Sequence, residues 1–191
     1  MRFSKIKMAE KILKEKRVAI IIAFRDFRDE EYFETKEVLE KAGAEVVTVS
    51  DSSGKAIGKF GGEADVDILL KDLRVSDFDA ILFIGGPGAI PRLDNDLSYK
   101  IAQEAFSFFE NKILGAICVA PIILAKAGVL RGKTATVWTS FTDKSAARIL
   151  EKNGARHSSE SVVVDNKIVT ANGPGAARKF GEAIVALLTK E

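Results

Sequence analysis

The sequence predicts one α/β domain built as a three-layer sandwich around a mostly parallel central sheet. Three observations predict it. First, short continuous apolar runs recur at residues 17–24 (RVAIIIAF), 79–84 (DAILFI) and 113–117 (ILGAI), as strands buried on both faces require. Second, helical patterns alternate with these runs, which is how crossover connections between parallel strands read in sequence. Third, 191 residues with 47% hydrophobic and 29% charged content suffice for a single well-packed core.

Residues 1–16 read as an N-terminal extension, with Phe3, Ile6, Met8, Ile12 and Leu13 at roughly helical spacing among lysines. Residues 17–191 form the domain. The run 17–24 is the first strand, and 25–28 is a loop. A helix is expected over 29–42, because acidic residues crowd its first turn and Gly43 follows its last. Residues 45–49 are a strand, and the Gly- and Ser-rich stretch 50–62 reads as turns with a small hairpin. A short strand is expected at 66–70 and a buried one at 79–84, broken by Gly85-Gly86-Pro87-Gly88. A helix over 96–110 should pack Phe106, Phe108 and Phe109 on the sheet. Strand 113–117 precedes Cys118, and a helix from Pro121 to Ala127 ends at Gly128. The remainder reads as a strand at 133–138, a helix over 141–153, a hairpin of 161–164 with 168–171, and a final helix over 176–188.

Composition narrows the function. Net charge is +2, from 29 basic and 27 acidic residues, so nothing favours a nucleic-acid or membrane partner. A single cysteine excludes an internal disulfide and suits a reducing cytoplasm. No His, Cys, Asp or Glu cluster has metal-ligand spacing, and no dinucleotide fingerprint is present, so neither metal nor cofactor is expected.

Ligands of open parallel sheets bind beyond the carboxyl ends of the strands. Three loops reach that edge with chemistry to offer. One carries Asp26, Arg28, Asp29, Glu30 and Glu31, which read equally as solvated charges or dipole-complementing residues at a helix start. The second is the Gly85-Gly86 turn, which suits backbone N–H donation to an oxyanion. The third is Cys118, on a sharp strand-to-helix turn flanked by the small residues Ala116 and Ala120, a nucleophile elbow. A helix N-terminus next to Cys118 would lower the pKa of its thiol, and the N–H of Val119 would be a second oxyanion donor. The plainer alternative is a buried, inert thiol. Gly85, Pro87, Ala120 and Trp138 are candidate pocket residues.

Four segments in order resemble the ThiJ/PfpI superfamily: RVAIIIAF with DFRDEEYFETKEVLEKAGAEV, FDAILFIGGPGA, GAICVAPIILAKAGVLRGKTATV, and VVVDNKIVTANGPG. The resemblance begins near Arg17 and runs to the last helix. It implies a flavodoxin-like fold, similar to class I glutamine amidotransferases, with Cys118 as nucleophile and Glu31 as its acidic partner. It maps the oxyanion donors to Gly86 and Val119. It also implies a homo-oligomer, dimer or hexamer. The family's peptidase branch carries His directly after the cysteine, where this chain has Val119. Other members carry His in the following strand, where 133–138 has none, and Asn172 stands where a further branch has Arg. The sole histidine, His157, is the one imidazole a neighbouring subunit could supply.

These departures rank the expected functions. Foremost is a cysteine-dependent enzyme on small reactive carbonyls, glyoxalase III- or deglycase-like, with an aldehyde or glycated substrate, Cys118 thiolate adding and Glu31 moving the proton. A PfpI-like intracellular peptidase needs a base that Val119 does not supply. A redox-sensing or chaperone-like protein would use oxidation of Cys118.

Overall fold

The computed structural model describes residues 12–107 and 112–190. Along the chain run β1 (Arg17–Ile22), β2 (Arg25–Phe27), α1 (Asp29–Ala42), β3 (Glu45–Ser50), β4 (Lys55–Gly58), β5 (Glu63–Asp65), β6 (Ile68–Leu69), β7 (Ala80–Phe83), α2 (Ala89–Leu93) and α3 (Asp96–Ser107). There follow β8 (Ile113–Ile117), α4 (Pro121–Lys126), β9 (Thr134–Ala135), α5 (Ser145–Lys152), β10 (Arg156–His157), β11 (Val162–Asp165), β12 (Ile168–Ala171) and α6 (Ala177–Leu188).

Among the described residues, seven strands make the central sheet in the order β11-β12-β8-β7-β1-β3-β6, parallel throughout except for β11 against β12. The alternation of side chains along β1 sets the layers. Val18, Ile20 and Ile22 join Tyr32 and Leu39 of α1 and Phe180 and Ile184 of α6 on one face. Ala19 and Ile21 join Ile101 of α3, Ile123 and Leu124 of α4 and Leu150 of α5 on the other. Each large buried side chain contributes about 1.5–3 kcal/mol. No helix among the described residues is long and apolar enough to cross a membrane.

Helix α1 ends as its sequence demands. Gly43 takes φ +104°, its N–H donates to Glu40 O, and Ala44 N–H donates to Leu39 O, closing the helix with two bonds.

Several elements differ from expectation, each for a local reason. Residues 25–27 are not loop but strand: β2 pairs with β4, and β4 with β5, in a separate three-stranded sheet. Of the strand expected at 133–138 only β9 forms, paired with β10 outside the main sheet. Side chains take its other backbone donors: Thr134 N–H donates to Asp165 Oδ2 at 2.8 Å and Thr136 N–H to Thr170 Oγ1 at 2.9 Å. The helix expected from 141 begins at Ser145, because Ser140 Oγ accepts from Asp143 N–H and Asp143 Oδ1 accepts from Ser145 N–H, turning the chain locally. Most of the expected N-terminal helix lies outside the described residues. Residues 12–15 form a turn, with Leu13 buried and its N–H donating to Ala42 O at 2.9 Å. Phe106 packs half-buried against the α3 side of the core, while Phe108 and Phe109 lie outside the described residues.

Candidate active site

The chain leaves β1 toward β3 on one side and later returns through β7 and β8 on the other, so the carboxyl ends of β1, β7 and β8 share a switch point. Cys118 is the first residue after β8. Its φ of +63° is the left-handed conformation, which costs a residue with a Cβ on the order of 1–3 kcal/mol. Two bonds hold it there: Cys118 N–H donates to Ala171 O at 2.9 Å, and Cys118 O accepts from Trp138 N–H at 2.8 Å. The elbow therefore draws on β12 and on the segment after β9, both remote in sequence.

The turn after β7 packs against the loop after β1. Arg28 N–H donates to Gly85 O at 3.1 Å and Gly88 N–H to Asp26 O at 3.0 Å. Gly86 has φ +109°, and a Cβ there would overlap Arg28 N and lie 2.6 Å from Asp26 O, so no other residue fits. Gly85 fills a different need. A Cβ on it would stand 2.5 Å from the Cys118 Cβ and 2.9 Å from Glu31 Oε2, so the missing side chain is what lets the thiol and the carboxyl meet.

Three consecutive acids open α1, and each does something different. Asp29 accepts from Phe60 N–H at 2.8 Å and Gly62 N–H at 2.7 Å, fastening the β4–β5 hairpin to the helix start. Glu30 accepts from Arg28 Nε at 2.8 Å and Nη2 at 3.2 Å. Glu31 points inward, fully buried; its Oε2 accepts from Gly85 N–H at 3.1 Å and its Oε1 has no hydrogen-bonding partner among the described residues.

Burial pushes the Glu31 carboxyl up to about 7, against the opposing influence of a hydrogen bond with Cys118, the Gly85 N–H and the Arg28 charge. Cys118 also departs from expectation. Burial and the neighbouring Glu31 push its thiol up, and the nearby backbone N–H groups of Gly86 and Val119 only partly offset this. The dipole expected to lower it comes from a helix of only six residues. Thiol and carboxyl thus behave as one unit that retains a proton near neutrality, and the first ionisation, near 7, belongs to the pair.

Arg28, Gly86, Pro87, Cys118, Val119 and Trp138 line a cavity of about 320 Å³ that opens on the Cys118 side chain. Of the residues expected at the pocket, Pro87 and Trp138 form its wall. Gly85 lies behind it, between Cys118 and Glu31, and Ala120 is fully buried on the opposite side, in the core beneath α4. His157 sits on β10 opposite Ala135 and is not part of the wall. Arg28, whose charge the sequence left as one of several solvated loop charges, is part of it. The available signal was its place, one residue before α1 and at the end of the β1 excursion. Among the described residues no group of three or more His, Cys, Asp and Glu is arranged to hold a metal ion.

Comparison with known proteins bears on the family and the fold. The model of the DJ-1/PfpI family matches residues 16–187. The chain is 37% identical over 179 residues to an uncharacterized protein of Methanocaldococcus jannaschii, covering 93% of this chain and 85% of that one. The solved structure of a ThiJ/PfpI domain protein from Brachyspira murdochii superposes with a TM-score of 0.82 at 32% identity, covering 93% of this chain and 99% of that one. Drosophila melanogaster DJ-1beta gives a TM-score of 0.80 at 26% identity, covering 92% and 91%. On sequence match and fold together, the chain belongs to the DJ-1/PfpI family.

Proposed function

We propose that the protein converts small reactive carbonyl compounds through Cys118 and Glu31, a glyoxalase III-type reaction to which deglycation is chemically related. The observation that carries this reading is the buried thiol–carboxyl pair, with the Glu31 carboxyl held near 7 and no imidazole on the cavity wall. A group titrating there alternates between base and acid at neutral pH.

The chemistry balances without a cofactor. Ionised Glu31 takes the Cys118 thiol proton as the sulfur adds to the aldehyde carbon of a 2-oxoaldehyde, and passes that proton to the carbonyl oxygen, giving a hemithioacetal. Glu31 removes the hydrogen on that carbon as a proton, forming an enediol, and returns a proton to the neighbouring carbon. The aldehyde carbon is thereby oxidised to a thioester and the ketone carbon reduced to an alcohol. Water attacks the thioester, releasing a 2-hydroxy acid and restoring the thiol. The backbone N–H groups of Gly86 and Val119, which line the cavity with Cys118, would be the donors for an oxygen on the adjoining carbon.

Lactate release from methylglyoxal tests this. Cys118→Ala should lose about a thousandfold or more of the turnover, and Glu31→Gln at least about a hundredfold. In the wild type kcat/KM should rise as pH passes through about 7, where the pair loses its first proton, and then level off. Equal turnover by wild type and Cys118→Ser would sink the proposal. Casein cleavage by rigorously purified protein, lost in Cys118→Ser, would favour a peptidase instead. Oxygen added to Cys118 by mild peroxide in a protein without turnover would favour a redox role.

A further inference from the structure

The proposed reaction feels Arg28 only through its charge, which works against the upward shift of Glu31, yet the fold holds that side chain firmly. Its backbone N–H is tied to Gly85 O at 3.1 Å. Glu30 engages its Nε and Nη2 side by side. The Phe60 ring lies 4.7 Å from its guanidinium carbon, and the hairpin that carries Phe60 is fastened by Asp29. The arginine so positioned forms part of the same cavity wall as Cys118. A guanidinium has five N–H donors, and Glu30 takes one on Nε and one on Nη2, so three remain, including both on Nη1. The side chain keeps 29% of its exposure, enough to meet a ligand at the rim.

The rest of the wall is neutral: Gly86, Pro87, Val119 and Trp138 bring no charge, and the Cys118 thiol retains its proton near neutrality. Arg28 is thus the one formal charge lining the cavity among the described residues. Its partner Glu30 keeps 40% side-chain exposure, where solvent screens its repulsion of an incoming anion. A planar, already oriented fork is the arrangement that recognises carboxylates with two parallel hydrogen bonds.

We propose that the preferred substrates are carbonyl compounds carrying a carboxylate at the end remote from the reacting carbonyl, and that Arg28 binds that carboxylate. This rests on the reading of Cys118 and Glu31 given above, and it narrows the substrate class. A neutral 2-oxoaldehyde such as methylglyoxal would then react through the same atoms but without the anchor. For 4,5-dioxopentanoate, a 2-oxoaldehyde with a terminal carboxylate, addition of one water gives 2-hydroxyglutarate and one proton. The C5 aldehyde is oxidised and the C4 ketone reduced, so no outside oxidant or reductant is needed.

Two measurements on the full chain test the assignment. The first compares kcat/KM for 4,5-dioxopentanoate and methylglyoxal. Wild type should favour the carboxylate by about tenfold or more. Arg28→Gln should remove that preference, because any change in Glu31 titration affects both substrates alike and cancels in the ratio, and Arg28→Lys should restore part of it. A ratio unchanged by Arg28→Gln would overturn the assignment. The second needs no turnover. Trp138 is the only tryptophan and lies in the cavity wall, so its fluorescence reports occupancy. Unreactive 4-oxopentanoate should perturb it saturably, about tenfold more weakly in Arg28→Gln, whereas neutral 2-pentanone should bind both proteins alike. If neither aldehyde turns over, the Cys118–Glu31 reading fails and the fluorescence titration still decides the role of Arg28. If 4-oxopentanoate binds no better than 2-pentanone, the carboxylate site is wrong even where methylglyoxal is consumed.

Discussion

The middle of β1 and the turn after β8 belong to the same sheet, separated only by β7, yet they follow opposite rules. In β1 every residue from Val18 to Ile22 is fully buried, side chains alternate cleanly between the two helical layers, and the backbone pairs in register on both sides. One residue past β8 the backbone is left-handed at a non-glycine, and a buried carboxyl oxygen beside it has no hydrogen-bonding partner among the described residues. Neither feature helps the protein fold. The first region shows what makes the sheet stable, and the second shows where that stability is drawn down to hold reactive groups together.

Substitutions should therefore move stability in opposite directions in the two regions. The largest effect is expected in β1. Ile20→Ala leaves a cavity between α1, α6 and the sheet and should lower unfolding free energy by about 2–5 kcal/mol in a denaturant titration. The folded fraction should keep its turnover within about twofold; a selective loss of turnover would mean that the two regions are not separable.

Glu31→Gln should do the reverse. The carboxyl titrates near 4.5 when unfolded and about 7 when folded, so folding opposes its ionisation. Its penalty is absent below the unfolded value, grows as pH rises between the two, and is complete above about 7. Removing the charge should then stabilise the protein by about 3 kcal/mol at pH 8, by the conversion of about 1.36 kcal/mol per pKa step, and hardly at all at pH 4. Thermal midpoints of the two proteins across that range check this, and parallel curves would contradict a neutral-range pKa for Glu31. The smallest effect belongs to the elbow backbone. Cys118→Gly should be more stable than Cys118→Ala, which loses the same sulfur, by about 1 kcal/mol through relief of the positive φ, less whatever the more flexible unfolded chain takes back; an alanine variant clearly the more stable of the two would show that the conformation carries little strain.

The same contrast explains what could be read from the sequence. The strands β1, β7 and β8 and the helices α1 and α6 announce themselves because burial on both faces or on one stripe writes a period into the residues. The Cys118 turn was legible through the strand before it, Pro121 after it and the small residues around it. What lay beyond reach was anything set by non-local partners. Residues 133–138 look like a strand, but Asp165 and Thr170 intercept their backbone donors. Residues 25–27 look like loop until β4 arrives to pair with them. Periodicity could not tell Glu31 from Glu30, since the two sit side by side on a helix start; family resemblance pointed to Glu31, and only the packed Gly85 turn gives the physical reason for one going inward and the other out to Arg28.

The first turn of α1 has a consequence for heat. Asp29, Glu30 and Glu31 connect that single turn to the β4–β5 hairpin, to Arg28 and to the Gly85 turn beside Cys118. Helix ends fray before helices melt. When this one frays, the hairpin, the cavity rim and the proton-carrying carboxyl are released in the same event. Activity should then fade on warming well below the global melting point, in step with exchange of the Phe60 and Gly62 amide protons, which are held only as long as Asp29 stays in place.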